Sequence, residues 1–251
     1  MDKKLIVIIP AFNEENFITS AIKEIPRKIN GIGSIEVVVV NDGSSDGTVK
    51  AARNAEAGKI IDLGGHRGLG AAIRAGLSYG VDNDADIIVI FDADCQYYGK
   101  DIEKIVAPVL AGTGQVVIGQ RNFRKIKTYP FYMRLSQRIG NGLTGFIFGA
   151  DVQDIASSLR AYRKETAKLL LENLHNPYEE AIESVCFMAE KNIPIAWIPV
   201  NIRYPTRPSR LITSKFYFVK YFFTTLADYF FASRKNNQSA ACAERNRKVF
   251  R

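Results

Sequence analysis

Three runs constrain this chain more than anything else in it. KLIVIIP (4–10), IEVVVVND (35–42) and ADIIVIFD (85–92) are apolar at almost every position rather than at alternate ones. A strand with two apolar faces must be covered on both, which is the situation of a parallel sheet held between helices. The stretches between the runs supply those helices. Residues 14–28 read as a helix closed by Gly31, and Ser44 or Ser45 is placed to cap a short helix reaching residue 55. GLGAAIRAGLSYG (68–80) and residues 100–111 are further helices, with KIIDL (59–63) and QVVIGQR (115–121) as strands. The alternation predicts an α/β fold with a mostly parallel, Rossmann-like sheet flanked by helices. Past residue 122 the pattern loosens. Residues 131–149 read as a helix despite several glycines. SLRAYRKETAKLLLEN (158–173) and EEAIESVCFMAEKN (179–192) read as amphipathic helices, and IAWIPVNIRY (195–204) as a strand.

In such sheets ligands bind beyond the carboxyl ends of the strands. Here those ends share a composition: Pro10-Ala11-Phe12-Asn13-Glu14, Asn41-Asp42-Gly43 and Asp92-Ala93-Asp94. Three acidic turns converging on one edge point to a site rather than to ordinary surface polarity. Asp92 and Asp94 are hard oxygen donors suited to Mg²⁺ or Mn²⁺ held against a diphosphate. A helix cap would need only one acid, and a solvent turn is the other plain reading. Asp42 lies at the mouth of its strand, where it can accept hydrogen bonds from a base N–H, while Ser45 and Asp46 fit an ordinary cap. His66-Arg67-Gly68-Leu69-Gly70 is not a dinucleotide fingerprint, which belongs in the first strand-to-helix turn; that turn here is PAFNEE. Its glycines suit either close approach to a nucleotide sugar or tight helix–strand packing.

Cys95, Cys186 and Cys242 are odd in number and far apart, which offers neither a disulfide framework nor a zinc cluster. Two histidines, His66 and His175, make no histidine-rich metal site. MDKKLIVIIPAFNEE shows no secretory signal, so a reducing, cytoplasmic setting is expected. The net charge of +8 is unevenly placed: residues 1–202 hold 23 basic and 24 acidic side chains, residues 203–251 hold 11 and 2. Nucleic acid and an anionic membrane are both partners for such a segment. Nine aromatics between Phe216 and Phe231 decide for the membrane and against nucleic acid. The run 212–233 is too short and too polar to span a bilayer, so it is expected to lie in the interface, followed by a basic tail (234–251).

Taken in order, VIIPAFNEE, VVVNDGSSDGT, HRGLGAAIRAG, DADCQ, the arginine of IGQR and DIASSLRAY resemble glycosyltransferase family 2, and within it the dolichyl-phosphate mannosyltransferase group of polyprenyl-phosphate glycosyltransferases. The resemblance covers roughly residues 4–211. It implies a GT-A catalytic domain (1–211), with a nucleotide-sugar half (1–112) and an acceptor half (113–211). It also implies site residues. Pro10, Phe12 (Tyr in the family pattern) and Glu14 would touch the nucleotide, and Val40 and Asp42 the base. Asp92, Ala93, Asp94 and Gln96 would bind diphosphate, with Asp92, Asp94 and Gln96 at the metal. Arg121 would face the donor or acceptor phosphate, and Glu183, the glutamate of the helix before the last strand, would join Asp94 and Arg121 as the catalytic residues. The basic end motif leaves Arg203, Arg207 and Arg210 as alternative diphosphate contacts.

The implied reaction is an inverting displacement. It moves a hexose, mannose from GDP-mannose ahead of glucose from UDP-glucose, to a polyprenyl or dolichyl phosphate at the cytosolic membrane face. A sugar hydroxyl acceptor needs a general base; a lipid phosphate is already ionised and needs cations instead. Arg121, Arg124, Lys125 and Lys127 supply such a cluster. The rival readings are a family member with a soluble or diacyl-lipid acceptor, a nucleotide-binding module without catalysis, and a nucleotidyltransferase. The last lacks a glycine-rich triphosphate loop here.

Overall fold

The computed structural model of the chain describes residues 2–122, 131–173 and 180–203. Within them seven strands form one sheet: β1 (Lys3–Ala11), β2 (Ile32–Asn41), β3 (Lys59–Asp62), β4 (Ile87–Ile90), β5 (Val116–Arg121), β6 (Arg160–Arg163) and β7 (Ile195–Val200), in the order β3-β2-β1-β4-β6-β5-β7. The helices are α1 (Ile18–Glu24), α2 (Thr48–Asn54), α3 (Leu69–Asp82), α4 (Asp101–Leu110), α5 (Phe131–Phe148), α6 (Lys164–Asn173) and α7 (Glu180–Glu190).

The continuous apolar runs are explained by the two layers they feed. Leu5, Val7 and Ile9 of β1 pack with Val37, Val39, Ile87 and Val89 beneath Ile18 of α1, Ala52 of α2 and Ile105 of α4. The alternate residues, Ile6 and Ile8 with Val38, Val40, Ile88 and Ile90, pack beneath Ile73 and Leu77 of α3, Leu170 of α6 and Val185 of α7. Side chains alternate across a strand, so a sheet covered on both sides needs apolar residues at every position. Helix α3 lies close on its face. A Cβ on Gly76 would stand 2.4 Å from Ile8 Cγ2, and one on Gly80 2.6 Å from Ile88 Cδ1. Tight helix–strand packing therefore accounts for these two glycines.

The central strands are parallel and in register at their ends: Pro10 pairs with Val40, Ala11 with Asn41, and Ile8 with Ile90. Asp42 N–H donates to Ala11 O and Phe91 N–H to Ile8 O, both at 2.9 Å. The three acidic turns thus leave neighbouring strands at one edge of the sheet, as their composition predicts.

Three expectations are corrected. Residues 158–173 are not one helix: Arg160–Arg163 form β6, antiparallel to both β4 and β5, and α6 starts at Lys164. Pairing with two strands, with Arg160, Ala161 and Tyr162 fully buried, overrides the helical pattern. Helix α1 runs over Ile18–Glu24, not 14–28. Ile25 is extended (φ −64°, ψ 123°) because it precedes Pro26, so proline rather than Gly31 ends the helix. Neither Ser44 nor Ser45 caps α2. Gly47 occupies that position, and Asp46 accepts the Thr48 N–H at 3.0 Å. Arg124, Lys125, Lys127, Arg207, Arg210 and the segments 212–233 and 234–251 lie outside the described residues.

Candidate active site

The first two turns are laced together. Asn13 N–H donates to Ser44 Oγ (2.9 Å), Ser45 N–H to Asn13 Oδ1 (2.8 Å), Glu14 N–H to Thr48 Oγ1 (2.7 Å) and Gly47 N–H to Glu15 Oε2 (3.1 Å). Asn13 takes the left-handed conformation (φ 53°) that lets its side chain reach across. Ser44, Ser45, Gly47 and Thr48 of SSDGT therefore fix one turn against another.

Asp42, 2% exposed, accepts from Arg67 N–H (2.6 Å), Gly68 N–H (3.0 Å) and His66 Nδ1 (2.8 Å). These bonds bring in the 66–68 turn and lay the His66 ring against Phe12, with centroids 4.0 Å apart and planes 19° apart. Gly43 sits where the turns meet. Its φ is +74°, and a Cβ there would come within 2.4 Å of the Gly65 carbonyl carbon. Val40 is fully buried in the core and Ala93 nearly so, so what they present to this edge is backbone.

Beyond β4 the chain reverses over Asp92–Gln96. Cys95 adopts φ 59°, and the reversal lets Gln96 donate its backbone N–H (3.0 Å) and its side-chain amide (2.5 Å) to the two oxygens of Asp94. Gln96 thus orients Asp94. The Ser158 hydroxyl donates to Asp92 Oδ2. Burial first, then the Asp94 charge, pushes Asp92 up to about 7, against the Ser158 hydrogen bond and the Arg121 charge, which pull it down. Two carboxylates this close repel, and a divalent cation relieves that repulsion, so the donor set fits Mg²⁺ or Mn²⁺. Among the described residues no group of three His, Cys, Asp or Glu side chains is assembled for a metal. A cation held by Asp92 and Asp94 would therefore draw its other ligands from substrate oxygens or water. Cys95 itself is chemically quiet: burial pushes its thiol up to about 11. Its contribution is the backbone turn.

Arg203 clamps that turn from outside. It donates to Cys95 O (2.9 Å) and Tyr97 O (3.2 Å), pairs with Glu24 (2.8 Å) and lies 4.0 Å over the Tyr98 ring. Glu24 also accepts the Gly99 N–H at 3.1 Å. Arg203 is thus engaged with the turn that carries the acids. Arg203→Ala is expected to lower turnover by about 10–100-fold, the usual cost of losing a group that orients ligating residues. Arg203→Lys should rescue it in part: the two carbonyls and Glu24 all meet one nitrogen, Nη1, which an ammonium with three donors can replace, but the planar contact over the Tyr98 ring is lost. Wild-type turnover in Arg203→Ala would remove the clamp from the account.

On the other side, Arg121 forms a bidentate pair with Asp154, Nε at 2.8 Å and Nη2 at 2.7 Å, and Asp154 also accepts from Arg121 N–H (3.0 Å) and Gln137 Nε2 (2.9 Å). Asp154 is 2% exposed, so the guanidinium is held in one orientation. Sequence reasoning missed the neighbouring hub. Arg160, 0% exposed, donates to the carbonyls of Ser157 (2.6 Å), Ile155 (3.1 Å) and Ala181 (2.8 Å) and to Ser184 Oγ (2.5 Å). Ser157 Oγ bonds Gly119 O at 2.6 Å and lies 3.2 Å from Tyr97 OH. The 155–158 segment that delivers Ser158 to Asp92 is therefore anchored to α7 and β5. Glu183 is buried on α7, 5% exposed, next to Ser184.

Acids at the carboxyl edge of such a sheet, with an antiparallel strand inserted beyond them, fit a nucleoside-diphosphate site, and the match to a glycosyltransferase family over residues 6–170 gives the class: this chain is a glycosyltransferase. The model of the family described as glycosyl transferase family 2 matches residues 6–170, and the chain belongs to that family. It is 31% identical over 226 residues to the UDP-N-acetylglucosamine–dolichyl-phosphate N-acetylglucosaminyltransferase of Methanococcus voltae, covering 81% of this chain and 87% of that one. It is 26% identical over 170 residues to the polyprenol monophosphomannose synthase of Mycolicibacterium smegmatis, covering 65% and 63%. Among solved structures it shares its fold with Mycobacterium tuberculosis glucosyl-3-phosphoglycerate synthase in complex with Mn²⁺, UDP-glucose and phosphoglyceric acid. The TM-score is 0.64 at 22% identity, over 82% of this chain and 73% of that one.

Proposed function

We propose that this enzyme transfers a hexose, with inversion, from a nucleoside-diphosphate sugar to a polyprenyl phosphate at the cytosolic face of a membrane. The observation that carries the reading is the Asp92/Asp94 pair. Two half-buried carboxylates share the edge of the sheet where PAFNEE and the Asp42 turn converge. The names of the relatives at 31% and 26% identity support the acceptor.

The site residues divide the work in this scheme. Asp92 and Asp94 would hold Mg²⁺ or Mn²⁺ against the diphosphate; when bound, the ion neutralises charge developing on the departing nucleotide. Ser158 and Gln96 keep the two carboxylates aimed, and Arg203 keeps their turn in shape. Phe12 and His66 present flat faces at the nucleotide end, ordered by Asp42. Arg121, fixed by Asp154, would meet phosphate, joined on the acceptor side by Arg124 and Lys125. The acceptor phosphate is already ionised, so attack needs cations around it and no poised base. Glu183, Arg207 and Arg210 complete the proposed set. The aromatic segment 212–233 would hold the enzyme peripherally on anionic lipid. No helix among the described residues is long and apolar enough to cross a membrane.

The two named relatives divide between N-acetylglucosamine and mannose, so UDP-N-acetylglucosamine joins GDP-mannose and UDP-glucose as donors to test. The decisive assay uses the full chain, a panel of radiolabelled nucleotide sugars and polyprenyl phosphate in detergent, with Mn²⁺ or Mg²⁺. The expected result is a chloroform-soluble, acid-labile sugar phosphate from one donor. Transfer only to a soluble or diacyl-lipid acceptor would overturn the reading.

A further inference from the structure

Helix α5 is built inside out. Among its described residues the buried side chains are Gln137 and Thr144, with Gly140 between them; Leu143 and Phe148 are partly buried against the core, and Asn141 bonds Gln153 O (2.5 Å) and the Ile155 N–H (3.0 Å). Its exposed side chains are Phe131, Leu135, Ile139, Phe146 and Ile147, with Phe146 88% exposed. These are five of the six exposed large hydrophobics among the described residues, so the feature belongs to this helix and not to the surface at large. At 3.6 residues per turn, Phe131, Leu135, Ile139 and Phe146 fall within an arc of about 80°, roughly opposite Gln137, Gly140 and Thr144. A globular helix has the reverse arrangement. The stripe runs about 22 Å along the helix, long enough to mark a contact surface.

We propose that this face of α5 docks on the surface of an anionic membrane, with its apolar stripe in the headgroup–acyl boundary. Charge selects this occupant. Across Phe131–Phe148 there are two basic residues, Arg134 and Arg138, and no acidic one, and the nine preceding residues add Arg124, Lys125 and Lys127, again with no acid. Arg138 is exposed beside Leu135 and Ile139, near the middle of the helix. In a two-fold dimer through this face, Arg138 would meet its own copy, setting like charges together in an apolar contact. Against anionic lipid the same charge is favourable. Phenylalanines near both ends of the stripe suit the interface.

The inward face ties this surface to the site. Gln137 bonds the Asp154 that holds Arg121, so docking through α5 sets Arg121 close to headgroup level, where a lipid phosphate lies. That last step rests on the polyprenyl phosphate reading; the docking itself does not.

Flotation of the full chain with vesicles tests it, using phosphatidylcholine alone and with phosphatidylglycerol, and no donor or acceptor. Combined Leu135→Gln, Ile139→Gln and Phe146→Gln should lower partition onto anionic vesicles by about tenfold or more, with melting and nucleotide binding unchanged. Arg138→Gln should lower it about fivefold on anionic vesicles only. Undiminished partition in the triple variant overturns the proposal. So does partition that is lost only when 212–233 is deleted, which would make that segment the anchor. A triple variant that converts a dimer to a monomer in solution while still partitioning normally would assign the face to a second copy, and also overturns it. Since no transfer is measured, failure of the acceptor reading leaves these results intact.

Discussion

Asp94→Asn is expected to reduce transfer by on the order of 10³-fold or more while leaving the chain folded. The magnitude follows from the several kcal/mol that a correctly held cation supplies to a departing diphosphate. The fold survives because an asparagine fits the same turn: its carbonyl can still accept the Gln96 N–H, and the Gln96 side-chain amide can turn to meet its NH₂. The substitution also removes the charge that, after burial, does most to raise Asp92, so Asp92 should titrate closer to an ordinary carboxylate. The variant is thus expected to keep the nucleotide contacts proposed for the Phe12 and Asp42 turns and to lose the metal-dependent gain. Transfer assays with and without chelator, beside a melting curve, check this. Chelator-insensitive, wild-type transfer by Asp94→Asn would end the metal-assisted mechanism.

What could be read ahead of the structure was whatever depends on local pattern. The apolar runs of β1, β2 and β4 have one physical solution, burial on both faces, and that alone brings PAFNEE, Asp42 and the Asp92/Asp94 turn to a common edge. Strand β6 was hidden because Arg160–Arg163 lies against strong helix formers and pairs only with residues far away in sequence. The same distance concealed the partners that decide what charged residues do. Asp42 and Arg203 read as candidate base and diphosphate contacts, and the sequence does not show that the 66–68 turn folds onto Asp42 or that Glu24 and the Cys95 and Tyr97 carbonyls meet Arg203. Helix α5 shows a further limit. Its periodicity is visible in the sequence, but periodicity does not say which face turns inward, and here the face holding Gln137, Gly140 and Thr144 does, while Phe131, Leu135, Ile139 and Phe146 face out. Cys95 had no readable role because it acts through its backbone angle.

Arg160→Ala is expected to be the most destabilising single change in the described residues, by about 3–5 kcal/mol. A fully buried guanidinium stays in place only while its donors are met. Here three carbonyls and one hydroxyl from two separate elements converge on it. Alanine leaves those acceptors without their donor, in a core from which water is excluded, and opens a cavity the size of the lost side chain. At roughly 2–4 °C per kcal/mol for a domain of this size, the midpoint should fall by about 6–20 °C. Arg160→Lys should fall nearly as far, because an ammonium has three donors on one atom and cannot fork between the 155–158 segment and α7. The loss should reach the chemistry as well. Ser158 reaches Asp92 from that segment, so whatever remains folded should turn over more slowly than Ser158→Ala, in which only the one hydrogen bond is removed. Thermal denaturation paired with kcat for the three variants separates these effects. A midpoint within about 2 °C of the parent, under 1 kcal/mol on the same scale, would show that the 155–158 segment holds its shape without Arg160, and that Ser158 is positioned by its neighbours alone.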